Sequence, residues 1–261
     1  MNIDLAGKHA LVTGASRGIG LAVARSLASE GCHLHLAARD AQRLETVRTE
    51  LCADFPGIEV HTYQADLSRP ADQVLLAKQC DQVDILVNNA GAIPRGDIEQ
   101  TPIEVWHEAW DLKVFGFINL SRLLFLEMKK RRQGVIANII GTAGERLQPQ
   151  YIVGSTGNAA LIAFTRTMGS LSVDHGVRVV GISPSLTATE RGIMILQSHS
   201  EQKYGTPDRW REIEADMGLP FGRMASVADV ADAVTFMVSP RASYISGMVL
   251  NVDGGSTYRH E

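Results

Sequence analysis

The 261-residue sequence lacks the features that mark several protein classes. Its three cysteines, Cys32, Cys52 and Cys80, form no CxxC pair, which excludes a disulfide scaffold and a cysteine-based zinc site. The eight histidines form no HExxH or similar pair, so we predict no metal site. No apolar run reaches the length of about 18 residues that a membrane span requires. The first residues show no basic stretch followed by an apolar one, which predicts a cytoplasmic protein.

An excess of positive charge is also missing. Lys and Arg total 25 against 29 Asp and Glu, so the net charge is −4. A protein that attracts nucleic acid or an anionic membrane through its overall field has the opposite balance, so we expect neither partner. A small-molecule substrate is expected instead. The content of 45% hydrophobic and 21% charged residues is typical of a folded domain and excludes a disordered or collagen-like chain.

Short β-rich apolar runs alternate with segments of helical periodicity along the chain. This alternation predicts βαβ units and a parallel sheet that is buried on both faces, in a single α/β domain over residues 1–261. The predicted strands are His9–Thr13, His33–Ala38, Glu59–Tyr63, Ile85–Asn88, Val135–Ile140, Arg178–Ile182 and Met248–Val252. Helices are expected to start near Gly18, Ala41, Pro70, Ile103, Ile152 and Val227.

Residues 187–222 interrupt this alternation, because they contain two prolines, many polar residues and no strand signal. We expect them to form a helical insertion over the carboxyl edge of the sheet. Insertions at this place commonly act as lids.

A glycine-rich motif, Thr13-Gly14-Ala15-Ser16-Arg17-Gly18-Ile19-Gly20, lies where the first strand meets the first helix. Glycines there let the backbone approach a pyrophosphate, and the N–H groups and dipole of the helix start hold its negative charge. On its own, such a motif is also compatible with nothing more than a tight strand-to-helix connection. Four more motifs follow later strands: Asp66-Leu67, Asn88-Asn89-Ala90-Gly91, Pro184 with Thr189, and Asp253-Gly254-Gly255.

These five motifs, in this order and at this spacing from Leu5 to Gly255, resemble the short-chain dehydrogenase/reductase family. The resemblance implies a doubly wound Rossmann-type domain with a seven-stranded parallel sheet, a nicotinamide dinucleotide along its carboxyl edge, and a homodimer or homotetramer. It also implies a set of residues that bind the dinucleotide. These are Gly14, Ser16, Arg17, Gly18, Ile19 and Gly20 in the phosphate turn, Asp66 and Leu67 at the adenine, Asn88, Ala90 and Gly91 at the adenosine ribose and central strand, and Pro184 and Thr189.

The residues after the second strand indicate which dinucleotide is bound. A ribose diol is best met by a carboxylate, whereas a 2′-phosphate is repelled by a carboxylate and attracted by guanidinium groups. Ala38 stands where relatives that prefer NAD typically carry Asp, and Arg39 and Arg17 can together hold one phosphate. NADP(H) is therefore predicted over NAD(H). The alternative is that Arg39 is a solvated residue and Asp40 accepts the ribose.

The sequence departs from the family pattern at the catalytic positions. The family uses an Asn in the helix after the fourth strand, a Ser after the fifth, and a Tyr and Lys separated by three residues on the next helix. Alignment places Lys113, Gly141, Gly154 and Asn158 at these four positions. A phenol donates a proton to a developing alkoxide well only when a nearby cation lowers its pKa, and here both the phenol and the cation are missing. Asn158 retains groups that can bind the nicotinamide ribose, as the family Lys does, so we expect cofactor binding to survive.

Two nearby residues are candidate catalytic replacements. Tyr151 precedes Gly154 by three residues, about one helical turn or roughly 4.5 Å, so its phenol can swing into the vacated space. Lys113 brings an ammonium to the opposite wall of the same pocket. The alternative is that Tyr151 is a partly buried aromatic at the helix entry and Lys113 a surface or interface lysine.

Three functions are compatible with this pattern. The first is an NADP(H)-dependent oxidoreductase on a small alcohol or carbonyl, with a rearranged proton donor. The second is a catalytically silent protein that binds a dinucleotide or another ligand. The third is a non-redox enzyme that uses the same pocket, since a fold alone does not fix a reaction. The intact cofactor motifs favour the first.

Overall fold

The computed structural model of the protein describes residues 3–259. Its centre is a seven-stranded sheet in the order β3-β2-β1-β4-β5-β6-β7, and every pair of neighbouring strands is parallel. The strands are β1 His9–Thr13, β2 His33–Ala38, β3 Val60–Gln64, β4 Ile85–Asn88, β5 Gly134–Ile139, β6 Val177–Pro184 and β7 Val249–Val252. The strand order reverses between β1 and β4. In open sheets of this kind, ligands bind at such a switch point, outside the carboxyl ends of the strands.

Nine α-helices lie within residues 3–259. They are α1 Gly18–Ser29, α2 Ala41–Asp54, α3 Pro70–Gln79, α4 Ile103–Trp110, α5 Gly116–Arg131, α6 Ile152–Ser172, α7 Glu190–Tyr204, α8 Trp210–Asp216 and α9 Val227–Val238. One apolar cluster joins α1, α2 and α9 to one face of the sheet through residues such as Leu27, Leu44 and Val234. A second cluster joins α3 and α5 to the other face through Leu76 and Leu120. Burial on both faces explains why the strands are continuously apolar in the sequence.

The predicted seven-stranded parallel sheet with helices on both faces is confirmed, and the shifts at the strand ends have physical causes. The strand predicted at 59–63 begins instead at Val60, which is paired with Leu34 of β2. The strand predicted at 178–182 runs on to Pro184, because β6 lies between two neighbours and Pro184 is still opposite Val252. Every predicted helix start is found.

The helix predicted from Ile103 is longer and less regular than a single α-helix. It passes from α4 through a π-helical turn at Asp111–Phe115 into α5 without a break. Such π-turns insert an extra residue into a helix and are frequent at functional sites. This turn carries Lys113.

Residues 187–222 form α7 and α8 with short 3₁₀ turns between and after them, so the helical insertion predicted from the sequence is found. Both ends of the insertion are held together by the bridge between Thr187 and Ala225, where the Ala188 N–H donates to the Ala225 carbonyl at 2.8 Å. The interior of the insertion is a small apolar cluster around Leu196 and Ile213. That it acts as a lid stays a prediction.

Candidate active site

The glycine turn is held against the end of β4 by close backbone packing. A Cβ on Gly20 would lie 2.3 Å from the Gly14 carbonyl oxygen, so only glycine fits there. Asn89 donates from Nδ2 to the carbonyls of Thr13 at 2.9 Å and Gly14 at 3.3 Å. The Thr13 hydroxyl in turn accepts the N–H groups of Asn89 and Ala90. Asn89 was not among the predicted site residues, although it lies inside a motif that was recognised.

The start of α1 fits the phosphates of a dinucleotide. Arg17 is its N-cap, and no side chain caps the N–H groups of the first turn. Uncapped helix N-termini bind anions, because their N–H groups and the helix dipole point at the ligand. Gly18 has a φ of +57°, and only the Thr189 side chain lies near the place of its missing Cβ. The turn and Thr189 therefore lie together, as the motifs predict, while Thr189 caps α7 by accepting the Gly192 N–H at 3.0 Å.

Beside this turn, the chain concentrates guanidinium groups. Arg17 and Arg43 both contact the carboxylate of Glu190, at 3.3 and 2.6 Å. Asp40, the alternative acceptor for a ribose, has its Oδ1 engaged as the N-cap of α2 by the Arg43 N–H at 2.9 Å. Arg39 is exposed. Arg43 was missed by the sequence analysis, because the first turn of a helix carries no motif.

The residues predicted at the adenosine end have mainly structural contacts. The Asp66 carboxylate accepts the Ser68 N–H and hydroxyl at 3.1 and 2.8 Å, which fixes the turn after β3. The buried Asn88 amide donates to the Ser121 hydroxyl and to Asn138 Oδ1, both at 2.9 Å. The Asn88 side chain therefore supports the central strands and points into the protein interior. Leu67 is buried.

Tyr151 lies over Gly154. A Cβ on Gly154 would lie 2.0 Å from both Cε1 and Cζ of the Tyr151 ring, so the phenol ring fills the space where a side chain at position 154 would begin. Tyr151 is not part of the helix itself but the N-cap of α6, with φ −145° and ψ 42°. This bent backbone lets its side chain turn back over the first turn of α6.

A backbone bridge and two arginines surround Tyr151. It forms a parallel bridge with Gly96, whose N–H donates to the Gln150 carbonyl at 3.0 Å. The guanidinium carbon of Arg95 lies 5.9 Å from the centre of the phenol ring. Burial raises the pKa of Tyr151, and the positive charges of Arg191 and Arg95 act against that rise. Neither arginine was predicted as a site residue, because each follows a motif instead of lying within it.

Lys113 extends from the π-turn across Gly91. Its Cδ lies 2.9 Å from the place of the missing Gly91 Cβ, and its Nζ donates to the Ile140 carbonyl at 2.6 Å. Ile140 directly precedes Gly141, so the ammonium lies at the carboxyl end of β5. Burial, together with the neighbouring charge of Arg191, lowers the pKa of Lys113 to about 8. The ammonium is therefore much closer to deprotonation near neutral pH than an ordinary lysine.

Asn158 faces Gly141 across the site. Its Nδ2 lies 3.0 Å from the place where a Gly141 Cβ would be, and Gly141 has a φ of +135°, which a side chain would strain. Within residues 3–259, the buried Asn158 Oδ1 has no hydrogen-bond partner. An unsatisfied buried oxygen is unfavourable, and a hydroxyl donor from a bound ligand would satisfy it. This oxygen fits the ribose hydroxyl that Asn158 is expected to bind.

The remaining hydroxyls near the site do not replace the missing catalytic side chains of the family. Ser155, next to Gly154, exchanges hydrogen bonds with the backbone of Gln148 at 3.0 and 3.3 Å, which orders the loop before α6. Thr142 lines a cavity of about 610 Å³ between the ends of β6 and β7 and the insertion. Met217 and Phe221 of the insertion line the same cavity.

Four histidines that look scattered in the sequence lie in one row across β1, β2 and β3. His9 stacks on His33, and His35 on His61, with ring centroids 4.8 and 5.2 Å apart. Burial lowers the pKa of His35 to about 4, so it is neutral near pH 7. Over the described range 3–259, no group of three or more His, Cys, Asp or Glu side chains is placed to hold a metal ion. None of the helices in that range has the length and hydropathy of a membrane span.

Comparison with known proteins places this geometry in a family. The family model described as short chain dehydrogenase matches residues 8–198. The 2,3-dihydro-2,3-dihydroxybenzoate dehydrogenase of Bacillus subtilis is 31% identical over 258 residues, which are 96% of this chain and 96% of the relative. A 3-oxoacyl-acyl-carrier-protein reductase of Vibrio cholerae is 31% identical and covers 97% of this chain and 98% of its own.

Solved structures agree with these sequence matches. The crystal structure of L-sorbose reductase from Gluconobacter frateurii, complexed with NADPH and L-sorbose, superposes with a TM-score of 0.92. Its sequence is 30% identical, and the match covers 100% of both chains.

Proposed function

This chain belongs to the short chain dehydrogenase family, and from that premise we propose that it is an NADP(H)-dependent oxidoreductase on a small alcohol or carbonyl, with an atypical proton donor. Lys113, Gly141, Gly154 and Asn158 take the four catalytic positions of the family. The proposal rests on one observation above all, the Tyr151 ring over Gly154. A phenol is thus retained next to the backbone position of the family Tyr, although it comes from a different residue.

The residues fit a nicotinamide dinucleotide and favour its phosphorylated form. The uncapped start of α1 and the glycine turn would hold the pyrophosphate, and the partnerless Asn158 Oδ1 would accept a ribose hydroxyl. Arg17 and Arg39 would hold the 2′-phosphate, with Arg43 as a third guanidinium beside them. NADPH bound to L-sorbose reductase supports this cofactor for the present chain as well.

The proton chemistry is assigned to Tyr151 and Lys113. When bound, the dinucleotide supplies a hydride to a carbonyl carbon or accepts one from an alcohol. In the direction of reduction, the Tyr151 hydroxyl donates its proton to the carbonyl oxygen, and Arg191 and Arg95 stabilise the phenolate that remains. The Lys113 ammonium at the Ile140 carbonyl supplies positive charge from the opposite wall, where the family has an Asn.

Single-turnover experiments test this proposal. NADPH is mixed with excess protein and a panel of small ketones, aldehydes and oxo acids, and its absorbance is followed. We expect NADPH oxidation in the wild type. Tyr151→Phe should lower the rate by about 100-fold, the typical loss for a positioned acid. Tight NADPH binding without oxidation across the panel would favour the alternative, a silent dinucleotide-binding protein.

Gly154→Ala is a second variant that addresses the position of the ring rather than its hydroxyl. The new Cβ would overlap the phenol ring, whose nearest atoms lie 2.0 Å away, so the ring must leave its place. We expect turnover to fall while NADPH affinity is kept. Gly57→Ala is the matched control, since nothing lies within 4 Å of its missing Cβ. Unchanged turnover in Gly154→Ala would contradict the role of the ring position.

A further inference from the structure

Two arginines, Arg95 and Arg191, lie near Tyr151, and the charge of Arg191 also acts on Lys113. We call Arg95, Lys113 and Arg191 the cation cluster. Arg95 lies over the ring, at 5.9 Å from its centre. Arg191 acts on both of the proposed proton-transfer groups, because its charge opposes the rise that burial causes in the pKa of Tyr151 and adds to the fall that burial causes in the pKa of Lys113. The two arginines of the cluster therefore lie on the same side of the site as the proposed proton donor.

Backbone contacts hold the arginines of the cluster in place. The guanidinium of Arg191 donates to the carbonyl of Ile93. Arg95 is on the same loop, two residues later, where the bridge between Gly96 and Tyr151 fixes the backbone. A main-chain carbonyl thus engages Arg191, and a backbone bridge fixes the main chain next to Arg95, and neither contact compensates a positive charge.

No ion pair balances the cluster. Among residues 3–259, none of its three members contacts a carboxylate within salt-bridge distance. The contrast with the neighbouring residue is clear, because Glu190 directs its carboxylate to Arg17 and Arg43 at the cofactor end. Glu190 and Arg191, adjacent at the start of α7, thus serve two parts of the site differently. The cofactor end, around the glycine turn, has its anion within the protein, and the reacting end, around Tyr151, has none.

Arg95 and Arg191 are exposed, so water screens much of their mutual repulsion, and a bound anion would still gain charge-assisted contacts from both. Guanidinium groups are well suited to binding such an anion, since their planar N–H donors match the oxygens of a carboxylate or phosphate. The whole chain has a net charge of −4, so the cluster is a local feature and does not reflect a generally basic surface. The charges of the cluster therefore favour the binding of an anion beside Tyr151.

We propose that the substrate carries a compact anionic group, a carboxylate or a phosphate monoester, which Arg95, Arg191 and Lys113 bind while the carbonyl or hydroxyl faces Tyr151. That this ligand is a substrate rests on the proposed function. The existence of an anion site at the cluster does not, because it follows from the charges and contacts alone.

Binding of inert anions tests the site without any turnover. Malonate, inorganic phosphate and the neutral malonamide are titrated by calorimetry into the protein saturated with NADP⁺, which fills the phosphate sites of the cofactor. We expect malonate or phosphate to bind and malonamide not to bind. Arg191→Met should weaken anion binding by about tenfold or more, the size of a lost charge-assisted hydrogen bond. Stronger binding of malonate indicates a carboxylate, and stronger binding of phosphate indicates a phosphate monoester.

Two controls make the result specific. Arg48→Met removes a surface arginine that pairs only with Glu45 one turn earlier, so it should leave anion binding unchanged. NADPH affinity measured by fluorescence should be the same in Arg191→Met and in the wild type. The proposal is overturned if neither anion binds, if malonamide binds as well as malonate, or if Arg191→Met weakens NADPH and anion binding equally.

Kinetics separate this proposal from the proposed function. Carbonyl substrates are compared in matched pairs, such as pyruvate with methyl pyruvate and dihydroxyacetone phosphate with dihydroxyacetone. A higher kcat/KM for the anionic member that disappears in Arg191→Met supports the anion site as a substrate site. Equal kcat/KM for charged and neutral members leaves the oxidoreductase intact and overturns the anion proposal. Malonate binding without turnover of any carbonyl leaves the anion site and overturns the proposed function.

Discussion

The two ends of the cleft differ in how they are built. At the proposed cofactor end, the site is built from backbone: the glycine turn packs against Asn89, and the N–H groups at the start of α1 have no side-chain cap from Arg17. At the reacting end, the proposed chemistry relies on side chains, and its phenol comes from a position that the family does not use. Tyr151 lies over Gly154, and Lys113 reaches to Ile140.

The difference shows which part of a site can be rearranged. A phosphate turn depends on the course of the main chain, so any side chain at Gly20 would collide with the Gly14 carbonyl and disrupt it. A proton donor needs only a hydroxyl at the right point, and a neighbouring residue can provide it. Removal of a side chain at position 154 leaves space that a ring from position 151 fills.

The largest effect is expected when the proposed proton-transfer pair is broken. Tyr151→Phe and Lys113→Met should each lower turnover by about 100-fold, while NADPH affinity changes little. The double variant should be hardly slower than either single variant, since groups that act as a unit are not additive. Stopped-flow single turnovers and NADPH titrations measure both quantities. Fully multiplicative losses would show that the two residues act independently.

Substitutions at the cofactor end should change the affinity for the cofactor and leave turnover unchanged. NADPH should bind more tightly than NADH, and Arg39→Asp should reverse that order, because a carboxylate repels a 2′-phosphate and accepts a ribose diol. We expect a change in the affinity ratio of about 10- to 100-fold, as for charge-assisted hydrogen bonds. Lys129→Asp makes the same charge change at the end of α5 and serves as the control. Equal dissociation constants for both cofactors in the wild type would refute the preference.

Much of this architecture could be predicted from the sequence, because it depends on local patterns. The strand ends β1, β2 and β4 and the starts of the helices follow from apolar runs and from glycine, and they are found as predicted. The arginines of the site could not be predicted in the same way. Arg95 and Arg191 come near Tyr151 only because the loop after β4 and the start of α7, which are far apart in the sequence, are brought together by the fold, and Arg43 meets Arg17 only through Glu190.

The reacting end should also be the end that responds to pH. Because the pKa of Lys113 is lowered to about 8, its ammonium is present below that pH and is lost as the pH rises through it. If the positive charge assists reduction, the single-turnover rate should fall by about tenfold at one pH unit above the pKa. Lys113→Arg keeps its charge and should remove the fall. NADPH affinity should stay flat over the same range, and a parallel loss of affinity would place the titrating group at the cofactor end.

The smallest effect is expected at Glu190, which shares its carboxylate between Arg17 and Arg43 at the cofactor end. A bound 2′-phosphate would compete with this carboxylate for the same guanidinium groups. Glu190→Gln removes the competing charge and should tighten NADPH binding by about two- to fivefold, since exposed ion pairs contribute little. NADH affinity should not change, so the preference for the phosphorylated cofactor becomes sharper.

Salt and a matched variant decide whether this gain at Glu190 is electrostatic. High salt screens exposed charges, so the difference between Glu190→Gln and the wild type should shrink as ionic strength rises. Glu212→Gln breaks an exposed pair with Arg209 in the insertion and should leave NADPH affinity unchanged. If Glu190→Gln weakens NADPH binding instead, the carboxylate holds Arg17 and Arg43 in position for the phosphate and does not compete with it. The cofactor end would then depend on placed side chains as much as the reacting end does.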